Sequence, residues 1–309
     1  MEFFKIKHDI PFMSYGRLTT TISLVTFIIA VGAILIRGLN LGVDFTGGTV
    51  MEVTYAQPAN VDSIRGALQS EGFDAAVQHI GTTRDVLIRL PVDEAGSDKV
   101  SAEVFQVLRQ QEPSVKLIRV EFVGPQVGQE LYENGGLALI LVAAGIIIYL
   151  SLRFEWRLAV AGIIANMHDV IIIVGMFALF QWEVDLTVLA AILAVLGYSV
   201  NESVVVFDRI RENFRKLRKA SVTTVIDNAI TRTMSRTIIT HFSTELAVLS
   251  VFFFGGEALH NFALALTIGI VFGIYSSVLV ASPIAMYLGV SRENLMPVEK
   301  EGADLPEHP

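Results

Sequence analysis

Apolar residues run almost unbroken through six stretches of this chain, near residues 18–36, 134–152, 158–180, 186–206, 237–254 and 262–288. An α-helix rises about 1.5 Å per residue, so each stretch supplies roughly the 20 residues needed to cross about 30 Å of hydrocarbon. Glu202 interrupts the fourth stretch, and Arg236, His241 and Glu245 interrupt the fifth, which is the shortest. Between the first and second stretches the period changes. Met51–Tyr55 alternates as a half-buried strand does, and Val61, Ile64, Ala67 and Leu68 recur at helical spacing before Gly72. Ala75–Ile80 and Asp85–Leu90 read as two strands around a Gly81–Arg84 turn. Val100, Val104, Val107 and Leu108 mark a second helix that stops before Pro113, and Val115–Val123 alternates again. The order βαββαβ is the split, ferredoxin-like arrangement. The pattern predicts a polytopic α-helical membrane protein of six transmembrane helices, with an α+β ferredoxin-like domain after the first.

Composition agrees. The 309 residues are 52% hydrophobic and 17% charged, whereas a soluble domain carries about 25% charged residues. With no cysteine, disulfide and thiol chemistry are excluded. The first apolar stretch follows Lys5, Lys7 and Arg17 and is too long for a cleaved signal core, so it reads as an uncleaved anchor. Lys and Arg set the orientation. Residues 207–236 hold eight basic side chains against three acidic, and the short turn at 151–158 holds Arg153 and Arg157. The turns at Gln181–Asp185 and Gly255–His260 hold no Lys or Arg. Both termini (1–17 and 291–309) are therefore expected in the cytoplasm of a bacterial inner membrane. On this reading the first helix (18–37) leads out to a periplasmic domain at 38–133, and five helices follow at 134–290. In that domain His79 reads as a structural histidine, and Asp93, Glu94 and Asp98 as a solvated acidic loop. No cofactor, metal, nucleotide or nucleic-acid site is expected. Two glycine-rich segments, GVDFTGG (Gly42, Gly47, Gly48) and VGPQVGQEL (Gly124, Pro125, Gly128), join the domain to the helices and read as hinges.

The polar residues inside the apolar stretches carry the chemistry. A carboxylate deep in a bilayer costs about 2.5–3.5 kcal/mol on insertion scales, so it marks an ion or proton site by default. Glu202 lies six residues before Asp208, roughly 9 Å inside the helix end, next to Asn201 and on one face with Tyr198 and Ser199. In the third stretch Asn166 and Asp169 share a face, while His168 points about 100° away. They read as an interhelical hydrogen-bond cluster or as part of a transport path. In the fifth, Thr233, Thr237, Thr240 and Thr244 form a polar stripe, flanked by Arg236 on one side and by His241 and Glu245 on the other. Antiparallel neighbours bring Arg236 to the depth of Glu202, as its partner or as a snorkelling boundary residue. Gly269, Gly273, Ser276 and Ser277 of the sixth read as close helix packing.

Together these segments resemble the SecD/SecF family of bacterial protein-export proteins, and within it the smaller SecF half. The resemblance rests on GVDFTGG at 42–48, VGPQVGQEL at 123–131, HDV at 168–170, GYSVNES at 197–203, VVFDRIREN at 205–213 and SRTIIT at 235–240. The family that the chain resembles is part of the proton-driven resistance-nodulation-division superfamily. The resemblance implies no enzymatic activity but use of the proton motive force in late preprotein export, with a SecD partner half, the SecYEG channel and YajC. The implied proton path comprises Glu202, Arg236, Asp169, His168, Asn201, Thr240, His241 and Glu245. The family motif places aspartate where Glu202 stands, one methylene longer, and the family arginine falls on Arg236. His241 and Glu245 stand where small or apolar residues are expected, and either pair with each other or extend the path. Two other readings stay open: a small-molecule or lipid exporter of the same superfamily, and a passive membrane assembly subunit.

Overall fold

The first apolar stretch folds as α1 (Gly16–Arg37), and its hydrophobic outer face has no partner among the described residues. It leads into a two-residue strand β1 (Asn40–Leu41) and one helical turn α2 (Val43–Thr46). The sheet domain follows as β2 (Gly48–Thr54), α3 (Val61–Ser70), β3 (Ala76–Ile80), β4 (Thr82–Leu90), α4 (Ser97–Gln111) and β5 (Lys116–Val123). The computed structural model describes residue 6 and residues 8–92 and 97–295; Lys5, Lys7, Asp93, Glu94 and the tail from 296 lie outside the described residues.

The four strands pair antiparallel in the order β3-β4-β2-β5, which is the βαββαβ chain order folded into one sheet. Asn60 starts α3 by accepting the amides of Asp62 and Ser63, supplying partners that a helix N-terminus lacks. The alternating residues Met51, Val53, Val86 and Ile88 meet Ile64, Leu68, Val104 and Leu108 of the two helices in a closed core. The opposite face of the sheet holds a smaller cluster, Val50, Ile80 and Leu87, against Val43 of α2.

The remaining membrane-length helices are α5 (Pro125–Arg153), α6 (Trp156–Phe180), α7 (Leu186–Lys216) and α8 (Val222–Phe254). A strand β6 (Glu183–Val184) lies between α6 and α7. The last span is α9 (His260–Ser276), a π-helical stretch Ser277–Ala281 and α10 (Ser282–Tyr287), before a final turn α11 (Arg292–Leu295). Among the described residues six helices are thus long and apolar enough to cross a membrane. α7 and α8 outrun their apolar stretches. Beyond them Ile210 and Phe214 of α7 pack on Val225, Ile226 and Ile230 of α8. The entering chain joins that pack, with Met13 buried and its amide bonded to Asp227 Oδ1 at 2.8 Å.

Three local features differ from the sequence reading. β1 pairs in parallel with β6, Asn40 opposite Glu183 and Leu41 opposite Val184; two-residue strands carry no periodicity to detect. The second glycine segment is no loop, because Pro125 opens α5 as its first residue and the helix runs unbroken into the membrane span. The first segment, read as a hinge, contains a close-packed helical turn. Gly48 takes φ +137°, where a Cβ would lie 2.5 Å from the Leu90 carbonyl oxygen, and a Cβ on Gly128 would lie 2.9 Å from the Gly47 amide. Both residues serve contact of α2 with α5 and of β2 with β4.

Candidate functional site

Glu202 and Asp169 are buried within the apolar stretches of the membrane helices, and α7 touches both. Glu202 (5% exposed) is gripped from α8. Thr237 donates its hydroxyl to Glu202 Oε1, and His241 Nε2 lies 3.4 Å from Oε2. Thr237 and His241 are four residues apart, so they stand on one face of α8, one turn from each other. Tyr198, one turn before Glu202, sets its ring edge-on to His241 at 4.9 Å and donates its hydroxyl to Thr244 at 3.2 Å. This wall holds the imidazole against the carboxylate. His241 Nδ1, Ser203 Oγ and Glu245 Oε2 are buried with no hydrogen-bond partner among the described residues.

The second carboxylate, Asp169 of α6, is 0% exposed. Its Oδ2 accepts the hydroxyls of Ser199 on α7 at 2.6 Å and Ser276 on α9 at 2.7 Å. His168 reaches back from the adjacent position, with Nδ1 3.3 Å from Oδ1, and stacks on Phe27 of α1. Its backbone direction lies away from Asp169, but its side chain closes the gap. Asn166 instead donates to the Leu196 carbonyl. Ser276 is also the last α-helical residue before the π-helical stretch, a distortion that recurs at functional positions. Ser199 and Glu202 are three residues apart, so one turn of α7 links the two centres.

The other sequence candidates are placed differently. Arg236 forms no ion pair with Glu202 among the described residues. It is exposed and lines a cleft of about 310 Å³ with Asp208, Arg209, Glu212, Arg232 and Thr233. His241 faces Glu202, and no ion pair joins it to Glu245 among the described residues. Asn201 and Thr240 are exposed, as Arg236 is, so all three stand uncovered among the described residues. Ser276, which the sequence reading assigned to packing, belongs to the Asp169 cage, and Thr237 of the polar stripe is the direct donor to Glu202. The four-residue spacing of Thr237 and His241 was the available signal.

The chain has recognisable relatives. A family model described as protein export membrane protein SecD/SecF, C-terminal, matches residues 103–291, and the SecD/SecF GG motif matches residues 32–59. The chain belongs to the SecD/SecF family. The protein translocase subunit SecF of Vibrio alginolyticus is 45% identical over 100% of this family member and 99% of the relative. That of Pseudomonas aeruginosa is 44% identical over 93% and 94%. The crystal structure of a Thermus SecDF, described as a translocon-associated membrane protein, superposes with a TM-score of 0.84 at 34% identity, covering 92% of this family member and 39% of that chain. A SecDF in a super-membrane-facing form gives 0.70 at 35% identity, again over 39% of its length. This SecD/SecF member therefore spans nearly the whole of its SecF relatives and about two fifths of SecDF. The GG-motif match encloses Gly47, at the α2–α5 contact, and Gly48, at the β2–β4 approach.

Proposed function

We propose that this chain is the SecF-type half of a protein translocase accessory complex, and that protonation and deprotonation of Glu202 couple the proton motive force to late preprotein export. The observation that carries the reading is Glu202 itself, a buried carboxylate held by Thr237 and His241 in the membrane interior. Moving one charge through 100 mV is worth about 2.3 kcal/mol, which biases two helix packings by nearly fiftyfold. The basic ends of α7 and α8 support a cytoplasmic placement of both termini and a periplasmic placement of the sheet domain. The exposed side chains of Asn201, Arg236 and Thr240 call for a membrane partner, because polar groups facing lipid are costly. The SecDF relatives, about three fifths of whose length lies outside the match, support a SecD-type half as that partner. SecYEG, YajC and preproteins follow as partners from the same family relation. A small-molecule exporter fits less well, because only residues 255–259 join α8 to α9 where a second large domain would sit.

Export into proton-tight vesicles tests the reading. Glu202→Gln inserts normally but loses the gradient-dependent part of export, while Glu202→Asp keeps it. Undiminished gradient-dependent export by Glu202→Gln overturns the proposal and leaves a passive assembly subunit.

A further inference from the structure

The hairpin between α6 and α7 grips the sheet domain and the segment that leads into it. Its tip carries Glu183, whose carboxylate pairs with Arg89 of β4. This is the one ion pair among the described residues that joins the four-stranded sheet to the membrane helices. It is largely buried, the two side chains being 12% and 16% exposed. The same tip is stitched to the segment that leads into the sheet. The Gly42 amide donates to the Val184 carbonyl at 2.8 Å, and the Leu186 amide donates to Asp44 Oδ2 at 3.0 Å. Asn40 donates to the Gln181 carbonyl at 3.0 Å, and Asn261 of α9 braces the Glu183 carbonyl at 3.2 Å. A Cβ on Gly42 would lie 2.8 Å from Glu183 Oε1, so the carboxylate is boxed in on that side.

α6 carries Asp169 and α7 carries Glu202, and the hairpin is the shortest covalent link between them. Any shift of one helix along the other is delivered at residues 181–185. We propose that the α6–α7 hairpin, gripping the sheet through Arg89 and Glu183, is the contact by which movement of the carboxylate-bearing helices reaches the sheet domain. Arg89 and Glu183 are then positioning residues of the transport cycle. The inference deepens the proton-coupling reading and rests on it.

The chemistry of the contact dictates the test. Removing one member of a buried ion pair leaves the other charge uncompensated, whereas removing both is close to neutral. The groups facing Glu183 are Arg89 from β4, Asp185 from its own hairpin and Asp44 from α2, with Arg119 and Glu121 of β5 across a cavity of about 210 Å³. Burial is the largest influence and pushes the Glu183 carboxyl above its ordinary range, against Arg89. A docked state that holds its proton more tightly is favoured by acid and loses that advantage as pH rises through the raised value.

The chain has no cysteine, so Leu87→Cys gives a single thiol inside the cavity edge, where Leu87 is 8% exposed. In the full chain in nanodiscs, its maleimide labelling rate is divided by that of the exposed Ser114→Cys at the same pH. Arg89→Gln should raise this ratio about tenfold or more at neutral pH. Acidification should bring it back down, because a protonated Glu183 needs no partner. Arg89→Gln combined with Glu183→Gln should return near the parent ratio. In the assembled complex, Arg89→Gln should lose the gradient-dependent part of export, and Arg89→Glu with Glu183→Arg should regain it. A ratio in Arg89→Gln indistinguishable from the parent overturns the grip. A raised ratio with gradient-dependent export intact overturns its role in transport. Labelling is read without a gradient, so failure of the Glu202 reading leaves the docking result standing and is told apart from it.

Discussion

Oδ2 of Asp169 takes hydroxyl hydrogens from two helices, and this makes the cage a measurable device. Ser199→Ala and Ser276→Ala each remove one donor from a carboxylate that is 0% exposed. Hydrogen bonds to a charged group contribute about 1.5–3 kcal/mol, whereas hydrogen bonds across membrane helices average about 0.6 kcal/mol. The two short contacts, at 2.6 and 2.7 Å, place the cage in the stronger class, so each single change should cost about 1.5–2 kcal/mol. With either serine gone, the other still satisfies the oxygen. With both gone, a 0% exposed oxygen has no donor, and the double variant should cost about 1 kcal/mol more than the sum of the singles. Reversible unfolding of the purified chain in mixed detergent and sodium dodecyl sulfate micelles measures all three losses, read by emission of Trp156 and Trp182. Single losses of about 0.6 kcal/mol or less, with the double equal to their sum, refute the view that Asp169 is held as the shared anchor of three helices.

His241→Leu should lower gradient-dependent export about tenfold while Glu202 stays in place, since it removes one of the two groups on the carboxylate and strands the other oxygen; His241→Gln should recover part of the loss in the same vesicle assay. Gly128→Leu should cost about 1–3 kcal/mol by wedging α5 from the Gly47 backbone, whereas Gly136→Ala, with nothing within 4 Å of the new carbon, should leave the melting temperature unchanged. In the sheet domain, burial first and Glu112 second push the Tyr55 phenol up to about 12. Its unfolded value is near 10, so its contribution is intact below pH 10 and is lost as pH rises toward 12. Tyr55→Phe should remove that alkaline step in domain melting.

Much of the architecture is legible because it follows from local rules. Length and hydropathy alone demand six spans, since lipid offers no partner for an open backbone. Period-two alternation in Met51–Tyr55 and Val115–Val123, with helical spacing between, suffices for the element order of the sheet domain. Glu202 announces itself through the cost of burying a carboxylate. The partners of Glu202 are less legible. Arg236 carries the obvious opposite charge, yet the contacts come from Thr237 and His241, one turn apart on the face turned toward α7. Helical rotation of α8 about its axis is set by packing, not by which side chain is charged.

The hydrophobic pattern determined on its own that this chain threads a membrane and carries a small sheet, because burial of apolar area needs no knowledge of neighbours. Only the tertiary structure decided which polar groups meet. Ser276 joins Asp169 across 107 positions and Arg89 joins Glu183 across 94. Those meetings depend on helix rotation and on the register of a two-residue strand pair. Local spacing carries no trace of either, since each is fixed by the summed packing of elements far apart in the chain.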